Sequence, residues 1–167
     1  FMIGLPYETE EDVAGIPDLA HKILNIYFAM PREKGERPAA INMSVSSFVP
    51  KPFTPFQWSE QNNFKKLQDK QKILVQNIKS KKITLSYHES KLAVLEGVFA
   101  RGDRRLCNVL EEAYKKGCRM DSWSEYFSFD TWQEAFETCG IPMDEYTRER
   151  SYDEFLPWDI IDIGVNK

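Results

Sequence analysis

The side chains best suited to bind a polar ligand lie on one predicted strand in the first half of the chain. Residues 41–46 alternate between apolar and polar types, with Asn42, Ser44 and Ser46 on the polar face. Hydroxyl and amide groups that face the interior of a closed parallel barrel must find hydrogen-bond partners, and a polar cofactor is one such partner. The pattern leaves open a second interpretation, in which this polar face is solvated.

A proline-rich segment follows that strand. Residues 49–56 contain three prolines, which cannot donate to a sheet, so a stiff loop is predicted there. Loops at the carboxyl ends of parallel strands are common ligand-binding positions in α/β folds. Lys51 is therefore a candidate substrate-binding residue, and the alternative is that the loop is only a rigid connector.

Three arginines surround a predicted helix start. Arg101, Arg104 and Arg105 flank Gly102 and Asp103, an arrangement that can bind a phosphate or a carboxylate. The competing interpretation is that Asp103 caps the helix while the neighbouring arginines are solvated.

The remaining chemistry-bearing residues give weaker signals. The three cysteines are too widely spaced for a metal motif, and they are Cys107, Cys118 and Cys139. We predict that they are buried packing residues. Three unpaired cysteines also fit a protein of the reducing cytoplasm. The net charge of −4 gives no overall attraction for nucleic acid, and the lysines of residues 65–82 fit a solvated helix face. No apolar run is long enough for a membrane span. The sequence assigns no catalytic residue and no metal ligand.

The order of predicted elements indicates the fold class. An opening strand precedes a helix over residues 10–30, a strand over 41–46, a helix over 59–82 and a strand over 83–88. Alternation of this kind favours parallel strands with crossover helices. We therefore predict an α/β fold in which residues 1–89 form a partial (βα) barrel with about three parallel strands. Residues 90–167 are predicted to form a mostly α-helical extension.

Several segments together resemble one enzyme superfamily. Residues 1–12, FMIGLPYETEED, resemble the fourth-strand region of radical SAM enzymes, and residues 46–56, SSFVPKPFTPF, resemble the fifth strand and its loop in the methylthiotransferase-like and cobalamin-associated branch. Residues 95–106, 123–125 and 156–159 are similar to an uncharacterised subfamily of B12-binding-type radical SAM proteins. The resemblance covers essentially the whole chain.

The resemblance implies a six-stranded, TIM-barrel-like (βα) enzyme that uses S-adenosylmethionine and a [4Fe–4S] cluster to generate a 5′-deoxyadenosyl radical. The family holds its cluster on a CxxxCxxC loop, which this sequence lacks. By position, Gly4, Ser44 and Ser46 are the implied cofactor-binding residues. The resemblance also makes Lys51, Arg101, Arg104 and Arg105 candidate substrate contacts near the barrel mouth. It further implies a cytoplasmic enzyme, with cobalamin as a candidate second cofactor and RNA or protein as the unknown substrate.

These expectations describe a fragment. The apolar opening strand indicates a chain cut from a longer protein, so the expected partner is the missing N-terminal half of the barrel. Open strand edges predict that the isolated chain self-associates as a dimer and is inactive alone, with no membrane partner. The rival hypothesis is a non-catalytic binding or scaffold module.

Overall fold

Strands and helices alternate through the first half of the chain. The structure is a computed structural model that describes residues 1–31, 35 and 38–164. Strand β1 (Met2–Ile3) leads to helix α1 (Glu10–Ala29), and strand β2 (Ile41–Ser47) leads to helix α2 (Phe64–Asn77) and strand β3 (Ile83–Tyr87). Four further helices follow: α3 (Ser90–Ala100), α4 (Leu106–Lys115), α5 (Phe129–Thr138) and α6 (Asp144–Thr147). The fold is thus mixed α/β, as predicted.

The three strands form one parallel sheet in the order β1-β2-β3. Met2 pairs with Ser46 between β1 and β2, while Ser44 pairs with Ser86 between β2 and β3. Parallel strands that are adjacent both in sequence and in space need a crossover connection, which α1 and α2 supply. The predicted parallel strands with crossover helices are therefore confirmed for the part of the chain that the structure describes.

Both crossover helices pack on the same face of the sheet. Val13 of α1 and Leu74 of α2 share one buried cluster with Ile3 and Val45. A neighbouring cluster joins α1 to the same face through Ala20, Leu24, Met43 and Ile83. The buried side of the sheet is therefore apolar except at Ser47, the last residue of β2. Among the described residues of this unit, no helix packs on the opposite side.

The chain divides into two compact units. The first contains the described residues of Phe1–Phe48 together with Asn62–Ser90, and the second contains Val49–Gln61 together with the described part of Lys91–Lys167. The core of the second unit is formed by α3, α4 and α5 together with Tyr146 of α6, and its buried residues include Val98, Val109, Trp132 and Phe136.

One helix prediction differs from the structure. The predicted helix over 59–82 extends only from Phe64 to Asn77, because the Asn63 side chain accepts the amide hydrogen of Lys66 and caps it. The residues before it, up to Gln61, belong to the second unit. Within the part of the chain that the structure describes, no helix combines the length and apolar character needed to cross a membrane.

Candidate functional site

The exposed face of the sheet carries rows of polar side chains. The strand register places Asn42 beside Thr84 and Ser44 beside Ser86, and all four residues are exposed. Ser46 is half-buried beside Met2, and its hydroxyl group donates a hydrogen bond to the carbonyl oxygen of Phe1 at 3.3 Å. Side chains on neighbouring strands stand about 5 Å apart. These rows can bind a ligand rich in hydroxyl, amine or carboxylate groups.

Gly4 lies immediately after β1, in the turn at the carboxyl end of that strand. Its backbone has a φ of +89°, a conformation that residues other than glycine rarely adopt. A Cβ added at this position would lie 3.1 Å from Cδ2 of Leu67. The carbonyl oxygen of Gly4 accepts a hydrogen bond from Nδ2 of Asn62 at 3.2 Å, and its N–H donates to Oε2 of Glu8 at 2.8 Å. Hydrogen bonds from the protein therefore satisfy both backbone polar groups of Gly4 and hold the turn in place.

The structure brings together three of the residues singled out from the sequence. Gly4, Ser44 and Ser46 all belong to the first unit, with the two serines on the exposed face of β2 and Gly4 two residues beyond the pairing partner of Ser46. Their role in binding a cofactor stays a prediction. Ser44 is the most available of the three, since its exposed hydroxyl group makes no hydrogen bond within the described residues.

Sequence reasoning missed several residues of this site. Thr84 and Ser86 extend the polar rows, and the signal was present in the alternation of β3, but the rows follow only from the strand register. Glu8 and Lys70 form an ion pair under the Gly4 turn, and most of both side chains is buried. Nothing in their local sequence reveals that pair, because 62 residues separate its members.

The predicted substrate-binding residues lie in the second unit. Lys51 is half-exposed and forms an ion pair with Glu96 of α3. Arg104 is exposed in the turn before α4. A substrate role for either residue stays a prediction.

Arg101 occupies a different environment from Arg104. Its side chain is 0% exposed, and its guanidinium group donates hydrogen bonds to the carbonyl oxygens of Ser59 at 2.8 Å and Arg148 at 3.0 Å. Arg150 in turn donates to the carbonyl oxygen of Arg101 at 3.2 Å. Burial and the charges of Arg150 and Arg148 lower the pKa of Arg101 to about 10. Arg101 thus joins three segments of the second unit, and its predicted substrate role is untested.

Arg105 is held by two carboxylates. Its guanidinium group lies 2.7 Å from Oδ2 of Asp103 and 2.6 Å from Oε1 of Glu145. These hydrogen bonds raise the pKa of Arg105 above its ordinary value, and the Arg105 hydrogen bonds lower the pKa of Asp103. Asp103 accepts the amide hydrogen of Arg105, and α4 begins only at Leu106. To bind an anionic ligand, Arg105 would have to break its contacts with both of these carboxylates.

The metal-ligating residue types are dispersed. Among the described residues, no group of three or more His, Cys, Asp or Glu side chains could hold a metal ion. Cys107 is exposed, whereas Cys118 and Cys139 are half-buried beside the core of the second unit. The prediction that the cysteines are packing residues thus agrees with the positions of Cys118 and Cys139 and is wrong for Cys107.

Comparisons with known proteins give one distant relative. An uncharacterized protein of Methanocaldococcus jannaschii, MJ0966, is 26% identical to the chain over 143 residues, which cover 84% of the chain. The chain spans only 29% of the length of that relative. No protein-family model matches the chain. No solved structure matches it.

Proposed function

We propose that the chain forms part of the catalytic barrel of a radical SAM enzyme, and that the exposed polar face of its sheet binds S-adenosylmethionine. One observation carries the proposal: three parallel strands follow in sequential order with both crossover helices on one face, while the other face carries rows of hydroxyl groups. The resemblance of residues 1–12 and 46–56 to radical SAM enzymes supports it.

The helix arrangement favours a barrel over a doubly wound sheet. In a doubly wound α/β fold helices cover both faces of the sheet, whereas in a barrel all helices lie outside and the other face lines the interior. In this first unit α1 and α2 cover the face that contains Val45. The face that contains Ser44 would then line the interior of the proposed barrel, where its hydroxyl groups need partners.

The residues present fit S-adenosylmethionine better than they fit the cluster. The cofactor offers ribose hydroxyl groups, an amine and a carboxylate, and the hydroxyl groups of Ser44 and Ser46 can donate to or accept from each of them. Gly4 is buried and its Cβ position faces Leu67, so its proposed contribution is to shape the turn at the end of β1 beside the two serines. The described residues contain no ligand set for an iron–sulfur cluster. We therefore place the proposed cluster ligands in another part of a longer protein.

When bound together, the cofactor and the reduced cluster would supply a 5′-deoxyadenosyl radical for modification of a substrate. The contribution proposed for this chain is to bind and orient the cofactor through Gly4, Ser44 and Ser46. The candidate substrate contacts are Lys51, Arg104 and Arg105, whereas the buried Arg101 would hold the segments of the second unit together. Three free cysteines fit a reducing compartment, so the proposed location of the enzyme is the cytoplasm.

The test measures binding of S-adenosylmethionine by a longer protein that contains this sequence and the residues upstream of it. After anaerobic iron–sulfur reconstitution, isothermal titration of the Ser44→Ala/Ser46→Ala variant should give a Kd at least about tenfold higher, as expected for two lost hydrogen bonds. Ser151→Ala, in the second unit, is the matched control. An unchanged Kd in the double variant would contradict the proposed site.

A second measurement separates the enzyme from the rival scaffold module. The longer protein should retain iron after reconstitution, and this chain alone should retain none. A longer protein without iron would favour the scaffold module. Stoichiometric iron on this chain alone would show that the cluster ligands have been assigned to the wrong part of the protein.

A further inference from the structure

Positive charge is concentrated in one segment of an acidic protein. Residues 65–82 contain seven lysines and one aspartate, whereas the other residues of the chain contain 15 basic and 25 acidic side chains. The segment therefore has a net charge of +6 in a protein whose total is −4. A local excess of this size attracts polyanions even when the whole protein is acidic.

The helical period aligns part of this charge along α2. Lys65, Gln68, Lys72 and Gln76 follow at intervals of three or four residues, and Lys79 comes just after the helix ends. The three lysines are exposed. Lys65 and Lys72 are about 10 Å apart along the helix, which matches about three stacked nucleotides of one strand. We call these five residues the α2 stripe.

A groove lies beside the α2 stripe. It has a volume of about 650 Å³ and is lined on one side by residues of α2, among them Gln68, Gln71 and Gln76, and on the other by Tyr87 and Glu89. Gln71 is fixed there because its Nε2 donates a hydrogen bond to the carbonyl oxygen of His88 at 2.9 Å. Tyr87 is 44% exposed. The groove therefore presents an aromatic side chain together with amide groups.

We propose that the α2 stripe and this groove bind single-stranded nucleic acid. The lysines of the stripe contact the phosphate backbone, and the groove takes a base, with Tyr87 as the stacking surface. The charges of the groove support the assignment of a base, and not a phosphate, to the groove. Its lining contains one lysine, Lys72, and one glutamate, Glu89. A nearly neutral cavity with amide donors and acceptors suits a base better than a phosphate.

Charge and groove together favour nucleic acid over an anionic membrane. A membrane surface attracts lysines but makes no use of a recessed groove lined by glutamine amides. The ion pair between Lys72 and Asp69 is exposed, so exchange of the aspartate for a phosphate costs little. The surface is also separate from the proposed cofactor face, because Tyr87 pairs with Val45, which faces the helices, whereas Ser44 faces away from them. The inference therefore stands independently of the radical SAM proposal.

Fluorescence anisotropy with a labelled oligouridylate of about 12 nucleotides tests the inference directly. The variant Lys65→Glu/Lys72→Glu/Lys79→Glu should raise the Kd of this chain at least tenfold near 0.1 M salt. It should also reduce the slope of log K against log salt by about 2, as expected for three lost phosphate contacts. The matched control Lys22→Glu/Lys115→Glu/Lys116→Glu changes the net charge equally at lysines elsewhere.

The variant Tyr87→Leu separates stacking from charge. It should raise the Kd about tenfold and leave the salt slope unchanged, because a stacking contact releases no counterions. Circular dichroism establishes that each variant is folded. The proposal is overturned if the wild-type chain does not bind the oligonucleotide, or if both triple variants weaken binding equally. Binding to phosphatidylserine vesicles without binding to the oligonucleotide would assign the stripe to a membrane instead.

Discussion

Glu8 and Lys70 form an ion pair beneath the Gly4 turn, with only 7% of the Glu8 side chain and 17% of the Lys70 side chain exposed. The same carboxylate accepts the N–H of Gly4 at 2.8 Å. One acidic side chain thus joins the turn after β1 to helix α2. The Gly4 turn, which is part of the proposed cofactor site, depends on this contact between residues distant in sequence.

Removal of one partner should destabilise the first unit strongly. Glu8→Gln leaves Lys70 buried without an opposite charge, so the free energy of unfolding should fall by about 3 kcal/mol. Glu8→Gln/Lys70→Met should recover most of that loss, because no charge then remains buried. Urea unfolding followed by circular dichroism measures both values, with Asp69→Asn, at an exposed pair, as the control. A loss in Glu8→Gln no larger than the loss in this control would contradict the prediction.

Gly97 in α3 leaves space for the buried side chain of Gln61. A Cβ added at Gly97 would lie 1.7 Å from Oε1 of Gln61, whose Nε2 donates to the carbonyl oxygen of Ala93 at 2.8 Å. Gly97→Ala should therefore destabilise the second unit by at least about 2 kcal/mol. All four tryptophans lie in this unit, so fluorescence reports its unfolding.

Two further variants test that explanation of Gly97. Gly15→Ala in helix α1 is the matched control, since a Cβ added there has no described atom within 4 Å beyond its chain neighbours and the backbone of its own helix. It should gain about 0.5–1 kcal/mol. In a double-mutant cycle with Gln61→Ala, the cost of Gly97→Ala should shrink by at least about 1 kcal/mol. If the two substitutions prove additive, the steric explanation is wrong.

Tyr7 adopts a left-handed backbone conformation with φ +63° and a fully exposed side chain. This conformation costs a non-glycine residue about 1–2 kcal/mol. Glycine avoids that cost, but it loses more backbone entropy on folding, so only part of the cost is recovered as stability. Tyr7→Gly should therefore increase the free energy of unfolding by about 0.5–1 kcal/mol, while Tyr7→Ala should not. Urea unfolding of the first unit distinguishes them. A loss of stability in Tyr7→Gly would show that the tyrosine ring makes a stabilising contact.

The Asp103–Arg105 contact should make the second unit sensitive to acid. The hydrogen bonds from Arg105 lower the native pKa of Asp103 below its ordinary value of 3.8, so the unfolded state binds the proton more readily. This contribution to stability is complete above pH 3.8 and is lost as the pH falls towards the native pKa. Asp103→Asn and Arg105→Gln should both reduce the acid dependence of tryptophan-monitored unfolding. An unchanged pH profile in Asp103→Asn would contradict this assignment.

The strand alternation and the polar face could be predicted from local patterns. Asn42, Ser44 and Ser46 follow the period of a strand, and the alternation of helices and strands indicates parallel pairing. These signals depend only on neighbouring residues. The serine rows also involve Ser86, and the pairing of Ser44 with Ser86 is a register that no local pattern determines.

The long-range contacts that hold the segments of the second unit together also could not be predicted, because no local pattern determines them. Arg101 belongs to a charged sequence typical of a solvated helix start, yet it is buried by contacts to Ser59 and Arg148, which are 42 and 47 residues away. Buried polar side chains resemble surface residues in sequence, and only the tertiary fold supplies their partners. The grouping of residues 49–61 with the second unit depends on the same long-range contacts.

Formation of 5′-deoxyadenosine tests the proposed enzyme most directly. The longer protein, reconstituted with iron and sulfide, is incubated anaerobically with S-adenosylmethionine and dithionite, and the products are quantified by liquid chromatography. The proposal predicts 5′-deoxyadenosine from the wild-type protein and much less from the Ser44→Ala/Ser46→Ala variant with equal iron content. A fully iron-loaded wild-type protein that forms none would contradict it.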